Sequence, residues 1–157
     1  ILISNRNKDS KDPEVMETLQ QQPASPDQNQ SVDKQASFAI FTHGTFRVFT
    51  ASMYHNLSKD VYIQATNPNV IYIKKLGVTW NDFLKTLPLK LTRDCLTTGT
   101  KETFCTGANG SLRFYVNGNL DKEALDKEIN AGDQLLVTFG KESAQQTQEQ
   151  IQKLQDR

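Results

Sequence analysis

Apolar residues are concentrated in the middle of the chain. From about Asn5 to Gln35 nearly every position is polar, and so is the end from Lys141 to Arg157. Between Phe38 and Gly140, Val, Ile, Leu, Phe and Tyr recur at spacings that specify elements. Ser37 to Phe41 reads as a short strand. Phe46 to Tyr54 predicts another, with Phe46 and Val48 on one side and Arg47 and Phe49 on the other, the period of two that marks a strand. Thr42-His43-Gly44-Thr45 fits the turn between them. Val61 to Ala65 predicts a third strand, ended by the turn signal Asn67-Pro68-Asn69, and Val70 to Lys74 a fourth.

A helix signature follows. Thr79 is an N-cap candidate and Asp82, three residues on, completes a capping box with Asp in place of Glu. Val78 and Phe83 have the spacing of a hydrophobic staple. Trp80, Phe83, Leu84 and Leu87 fall on one face, and Pro88 stops the helix because proline disfavours helical backbone at the residue before it. Leu112 to Val116 alternates again and runs into Asn117-Gly118, a tight-turn pair. Leu120, Leu125 and Ile129 suit the inward face of a short helix. Asn130 to Asp133 turns the chain, and Gln134 to Phe139 is the last strand, with Leu135, Val137 and Phe139 on one side.

The expected class is therefore α+β: a mixed sheet of four to six strands on one main helix (79–87), with polar tails. Residues 37–140 form the globular domain and are long enough to bury one core. Residues 1–36 read as a flexible tether, because Pro, Gln, Ser and charge cannot bury enough surface to offset ordering entropy. Glu14 to Gln20 could form a transient helical turn. Residues 141–157 read as a disordered tail or frayed helix, since Ile151 and Leu154 are too few for a coiled-coil seam.

Composition narrows the function. The chain has 157 residues, a single-domain length, and 18 basic residues balance 18 acidic ones. No basic stripe of the nucleic-acid-binding kind is visible, so no nucleic-acid partner is expected. The apolar fraction of 36% lies below the roughly 45–50% of a globular domain, and the two polar ends account for the shortfall. No apolar run reaches the length that spans a bilayer. Ile1-Leu2-Ile3 followed at once by Ser4-Asn5-Arg6 nevertheless looks like the last turn of a membrane helix and its polar flank. A membrane anchor ahead of the tether is expected, with an arbitrary chain boundary or a cleaved leader as the alternative.

Cys95 and Cys105 flank a polar loop containing Gly99. They are not Cys-x-x-Cys, and no further ligands for a metal lie nearby. A structural disulfide is expected, stabilising by roughly 2–3 kcal/mol in the chain-entropy model; two buried free thiols are the alternative. A disulfide implies a compartment outside the reducing cytosol.

Catalytic groups are scarce, and no enzyme or cofactor is expected. Ser58 and Thr97 to Thr100 have no adjacent base. His43 and His55 stand alone in turn-like sequence and carry only a weak metal alternative. Asp121, Glu123, Asp126 and Glu128 alternate with Lys122 and Lys127 without the spacing of a calcium loop, so a solvated face is expected. Asn56-Leu57-Ser58 and Asn109-Gly110-Ser111 match the glycosylation sequon. Tyr54, Tyr62, Tyr72 and Tyr115 are candidates for a ligand face, since aromatics with a polar tip suit sugar or peptide contacts.

Strand, strand, one helix across the sheet, further strands and the Gly132-Asp133 turn before the last one resemble the β-grasp of ubiquitin and the small sulfur-carrier proteins. The matching part is about Val70 to Gly140, with Phe46 to Tyr54 as first strand. Those proteins act through a free C-terminal Gly-Gly. Here a single Gly140 is followed by Lys141 and a long polar tail, so the resemblance implies the fold without the carrier chemistry. Gly77 to Leu87, Asp94-Cys95-Leu96, Phe104-Cys105, Leu112 to Gly118 and Asp133 to Gly140 are also similar to a group of uncharacterised membrane-tethered bacterial and archaeal proteins. In that group histidines stand where Tyr72 and Lys74 stand here, so a metal role does not carry over.

These readings imply an extracytoplasmic, non-enzymatic binding module tethered to a membrane, with a protein or glycan of the cell envelope as partner. The alternative is a copper- or zinc-handling envelope protein using His43 and His55.

Overall fold

The structure is a computed structural model that describes residues 30–156. The expected anchor, the tether as far as residue 29 and the turn near Glu14 lie outside the described residues. Strand β1 (Ser31–Thr42) begins before Ser37 and takes residues 31–36 out of the expected tether. Its first half is polar, yet it pairs antiparallel with β4 (Val70–Lys75), in register from Ser37↔Val70 to Lys34↔Ile73. Asp33 and Gln35 point to solvent there, while Val32 packs on the core. An alternation that is half polar serves a strand whose partner supplies the backbone hydrogen bonds.

His43 (φ 50°) and Gly44 (φ 79°) make the two-residue turn into β2 (Thr45–Phe46). The expected strand over 46–54 ends after those two residues. Phe46 packs beside Phe41, Val48 is exposed, Phe49 is buried on the opposite side, and Ser52–Tyr54 is a 3₁₀ turn. Beyond Ile40, whose carbonyl accepts from Arg47 N–H at 2.8 Å, no neighbouring strand holds this segment to the sheet.

The remaining strands of the main sheet are β3 (Val61–Tyr62), β8 (Ser111–Val116), β9 (Asn119–Leu120) and β10 (Gln134–Gly140). The order is β3-β4-β1-β10-β8-β9, with β2 pairing beside β1, so the sheet has seven strands where four to six were expected. Strands β1 and β10 lie parallel at its centre, from Ser37↔Gln134 to Thr42↔Phe139. Every other pairing is antiparallel. A second sheet orders β5 (Lys90–Leu91), β6 (Cys95–Thr97) and β7 (Thr103–Cys105). The architecture is α+β, and its first strand is β1 rather than residues 46–54.

One face of the main sheet carries the larger core. Helix α1 (Trp80–Leu84) is shorter than the expected 79–87, with turns continuing to Leu87. Its capping box is complete: Thr79 Oγ1 accepts from Asp82 N–H at 3.0 Å, and Asp82 Oδ2 accepts from Thr79 N–H at 3.0 Å. Trp80 and Phe83 are fully buried, and the Phe83 ring meets Phe38 edge-on at 5.1 Å. Burial of side chains this size stabilises by about 1.5–3 kcal/mol each. The expected helix around Leu120 is instead β9 followed by a 3₁₀ turn at Ala124–Asp126. Ile129 is buried as expected, but Leu120 is 55% exposed.

The opposite face carries a second, smaller core, which the sequence reading omits. Residues 144–155 are neither disordered nor frayed: helix α2 (Ala144–Gln155) opens on a Ser143/Gln146 capping box. It lays Ile151 and Leu154 on Ala39, Phe41 and Leu136. Two apolar residues three apart suffice because the sheet offers them an apolar patch. Glu142 anchors the start of this helix, its side chain 6% exposed. Its carboxylate accepts from Arg113 at 3.0 Å, Thr138 Oγ1 at 3.0 Å and Gln150 Nε2 at 3.4 Å.

Candidate functional site

Where the chain leaves β1 it builds an apolar groove of about 310 Å³. One wall is Arg47, Val48, Phe49, Met53 and Tyr54, and the other is Pro88, Leu89, Leu96 and Thr98 to Thr100, with buried Ile40 also lining it. Local sequence explains each wall. Pro88 ends the α1 region and sends the chain into β5. Leu96, at the centre of β6, drops into the main core. On the other side Phe49 anchors the segment, its ring 5.2 Å from Phe38 and 5.0 Å from Tyr54. Val48 and Met53 are left 61% and 53% exposed. Scattered exposed aliphatics need no explanation, but these two border one groove.

The walls are fastened. Cys95 and Cys105 stand directly opposite each other on β6 and β7, with Cα atoms 4.1 Å apart, and are joined as a disulfide. The Arg47 guanidinium reaches Glu102 at 3.2 Å and lies 5.4 Å from the Phe104 ring centre, tying one wall to the loop after the other.

The four candidate tyrosines do not form one face. Tyr54 lines the groove. Tyr62 and Tyr72 are register partners on β3 and β4, and their rings stack at 5.6 Å with 20° between planes. They stand on the outer side of the sheet beside Lys74, which pairs with Asp33 at 2.8 Å; that hydrogen bond raises the lysine's pKa. Tyr115 packs into the small core beside α2, three strand spacings across the sheet from Tyr72 and four β1 residues further along it.

The two histidines are also apart in their contacts. His43 packs edge-on against Phe139 at 5.2 Å and Phe104 at 5.8 Å. His55 Nε2 donates to the Phe49 carbonyl at 2.8 Å, an acceptor only, which fixes the proton on that nitrogen. Among the described residues no group of three or more His, Cys, Asp or Glu is placed to hold a metal ion. The acidic cluster is a row of ion pairs: Lys127–Asp121 at 2.6 Å, Arg93–Glu123 at 2.7 Å and Lys34–Glu128 at 3.4 Å. The Lys127 hydrogen bond, chiefly, holds the Asp121 carboxyl below its usual range.

Sequence reasoning found Tyr54 but missed Val48 and Met53. Their signal is the break in alternation at Ala51-Ser52, which the reading of Phe46 to Tyr54 as one strand passes over. Among the described residues no helix is long and apolar enough to cross a membrane. No family model, curated protein or solved structure matches this chain.

Proposed function

We propose that this chain is a non-enzymatic extracytoplasmic binding module of the β-grasp type that takes its partner in the groove between Met53 and Leu89. The observation that carries the reading is the meeting of exposed Val48 and Met53 on an apolar groove whose walls are held by a disulfide and an ion pair. Preformed, mostly apolar concavities with a few polar groups are the usual form of a binding site. Thr45, Tyr54, Thr98 and Thr100 provide hydroxyls around this one.

The disulfide supports a compartment outside the reducing cytosol. The β-grasp assignment rests on the strand order, with first and last strands parallel at the centre and α1 following the second long strand. A carrier role finds no support, because the last strand continues through Lys141 into α2. The His55 hydrogen bond to Phe49 gives that residue a structural task and weakens the metal alternative.

The test is a methyl NMR titration of Met53 with three probes: an aliphatic pentapeptide, dodecanoate and chitotriose. The reading expects a saturable shift of the Met53 methyl with one of them, together with a Val48 methyl shift that is lost in Met53→Lys while Ile71 and Ile73 methyl signals stay in place. Absence of a saturable Met53 shift with all three at millimolar concentration defeats it.

A further inference from the structure

Resting on the reading that the groove is the binding site, we propose that its partner is an extended peptide, added as a strand along Val48 to Thr50, with an aliphatic side chain in the groove and acidic residues at its ends. Three observations converge on this occupant.

The first is an unpaired backbone edge. Arg47 N–H still bonds Ile40 across the sheet at 2.8 Å. Beyond it, the backbone N–H groups of Val48 and Thr50 have no hydrogen-bond partner among the described residues, and both residues are exposed. Residues 47–50 belong to no helix, turn or bend, and the chain bends only at Ala51.

The second is that this edge is unguarded. Proteins blunt free strand edges with charge, proline or a covering element. Val48-Phe49-Thr50-Ala51 has neither charge nor proline, so its outward donors stay open to another chain. Strand addition takes affinity from such main-chain donors and specificity from pockets that receive alternate side chains. The groove lies beside the edge, where alternate peptide side chains would fall.

The third is charge. None of the groove's lining residues is acidic. Lys90 follows Leu89, Lys101 follows Thr100, and both are exposed, which gives the groove a cationic rim. Glu102, the acid beside it, is engaged by Arg47. An apolar peptide with acidic ends complements that rim. Dodecanoate would satisfy the groove and one cation but would leave the backbone donors unused.

The experiment titrates the ¹⁵N-labelled protein with the blocked pentapeptide Glu-Val-Leu-Val-Glu and with two N-methylated forms, one methylated at Leu and one at both Val. Because successive peptide N–H groups point to opposite sides of a strand, one methylated form should lose affinity by about tenfold and the other should keep it. Val48 and Thr50 amides should shift together with the Met53 methyl. Exchanging both Glu for Lys should weaken binding by about tenfold at low salt and less at high salt. If both methylated forms bind as tightly as the parent while Met53 shifts, strand addition is overturned and the groove reading stands. If the peptide moves neither Val48 nor Met53 and dodecanoate saturates Met53, the peptide is the wrong class and the groove again stands. If no probe moves Met53, both fail.

Discussion

Glu142 shows how one side chain decides whether the second core exists. Burial pushes its carboxyl pKa up, but its own backbone N–H, Thr138, Gln150 and Arg113 together outweigh that, and the net effect is a value below the ordinary 4.5. A carboxyl depressed on folding contributes its full stability above the unfolded value and loses it as pH falls through the folded one. Glu142→Gln should therefore destabilise at pH 7 by about 2 kcal/mol, the size of a charge-assisted hydrogen bond lost from a mostly buried site. The gap between wild type and variant should close as pH is lowered below about 4.5, checked by urea denaturation at a series of pH values. Gly110 is the other residue without tolerance. A Cβ there would lie 2.8 Å from the Gly140 backbone, which cannot move without disturbing the strand end that precedes Glu142. Gly110→Ala should cost about 1–3 kcal/mol by overpacking and should lower the melting temperature without altering Met53 shifts.

Elements differ in how much of them local pattern could disclose. Helix α1 was legible to its cap, because Thr79, Asp82 and the face of Trp80, Phe83 and Leu84 act within one turn. Strand β8 was legible from its alternation, and β10 from a short apolar run bounded by the Gly132-Asp133 turn and Gly140. Strand β1 was legible only in its apolar half: Lys34 and Gln35 become strand because β4 lies beside them, and that contact is absent from their own sequence. Helix α2 was misread for the same reason, since its apolar face is two residues wide and gains its value from Phe41 and Leu136. The groove was the least legible part, as Met53 and Leu89 meet only after β1, α1 and β6 have packed. Two element-scale predictions follow from these dependences. Ser143→Ala removes the α2 cap, in which Ser143 Oγ accepts from Gln146 N–H at 3.2 Å, and should cost about 1 kcal/mol, read as a lower denaturation midpoint with an unchanged slope. The Cys95–Cys105 link closes a separation of 10 residues. Its replacement by Cys95→Ala/Cys105→Ala should cost roughly 2–3 kcal/mol, and intact protein under non-reducing conditions should weigh two hydrogens less than the dithiol.

At the scale of the whole molecule, the parallel pairing of β1 with β10 places the first and last strands of the described chain side by side at the centre of the sheet. Neither core can close until that pairing forms, because Phe38 and Ile40 on β1 share the large core with Val137 and Phe139 on β10. The small three-stranded sheet stands differently. It enters that core through Leu96, with Leu91 and Phe104 packed against it; the Arg47–Glu102 pair ties it to the segment after β2, and the disulfide braces β6 on β7 within it. Regions with few buried apolar contacts open below the global unfolding free energy. Native-state hydrogen exchange should therefore find two classes of amide. Phe38, Ile40, Val137 and Phe139 should exchange only through global unfolding, with protection equal to the stability from denaturation. Leu96 and Phe104 should exchange through a smaller opening, and reduction of the disulfide should lower their protection more than that of Phe38. Equal loss at Leu96 and Phe38 on reduction would mean that the two sheets unfold as one unit. The groove would then be a rigid cleft in a single body, and a partner strand would have to fit it as it stands, without help from a movable wall.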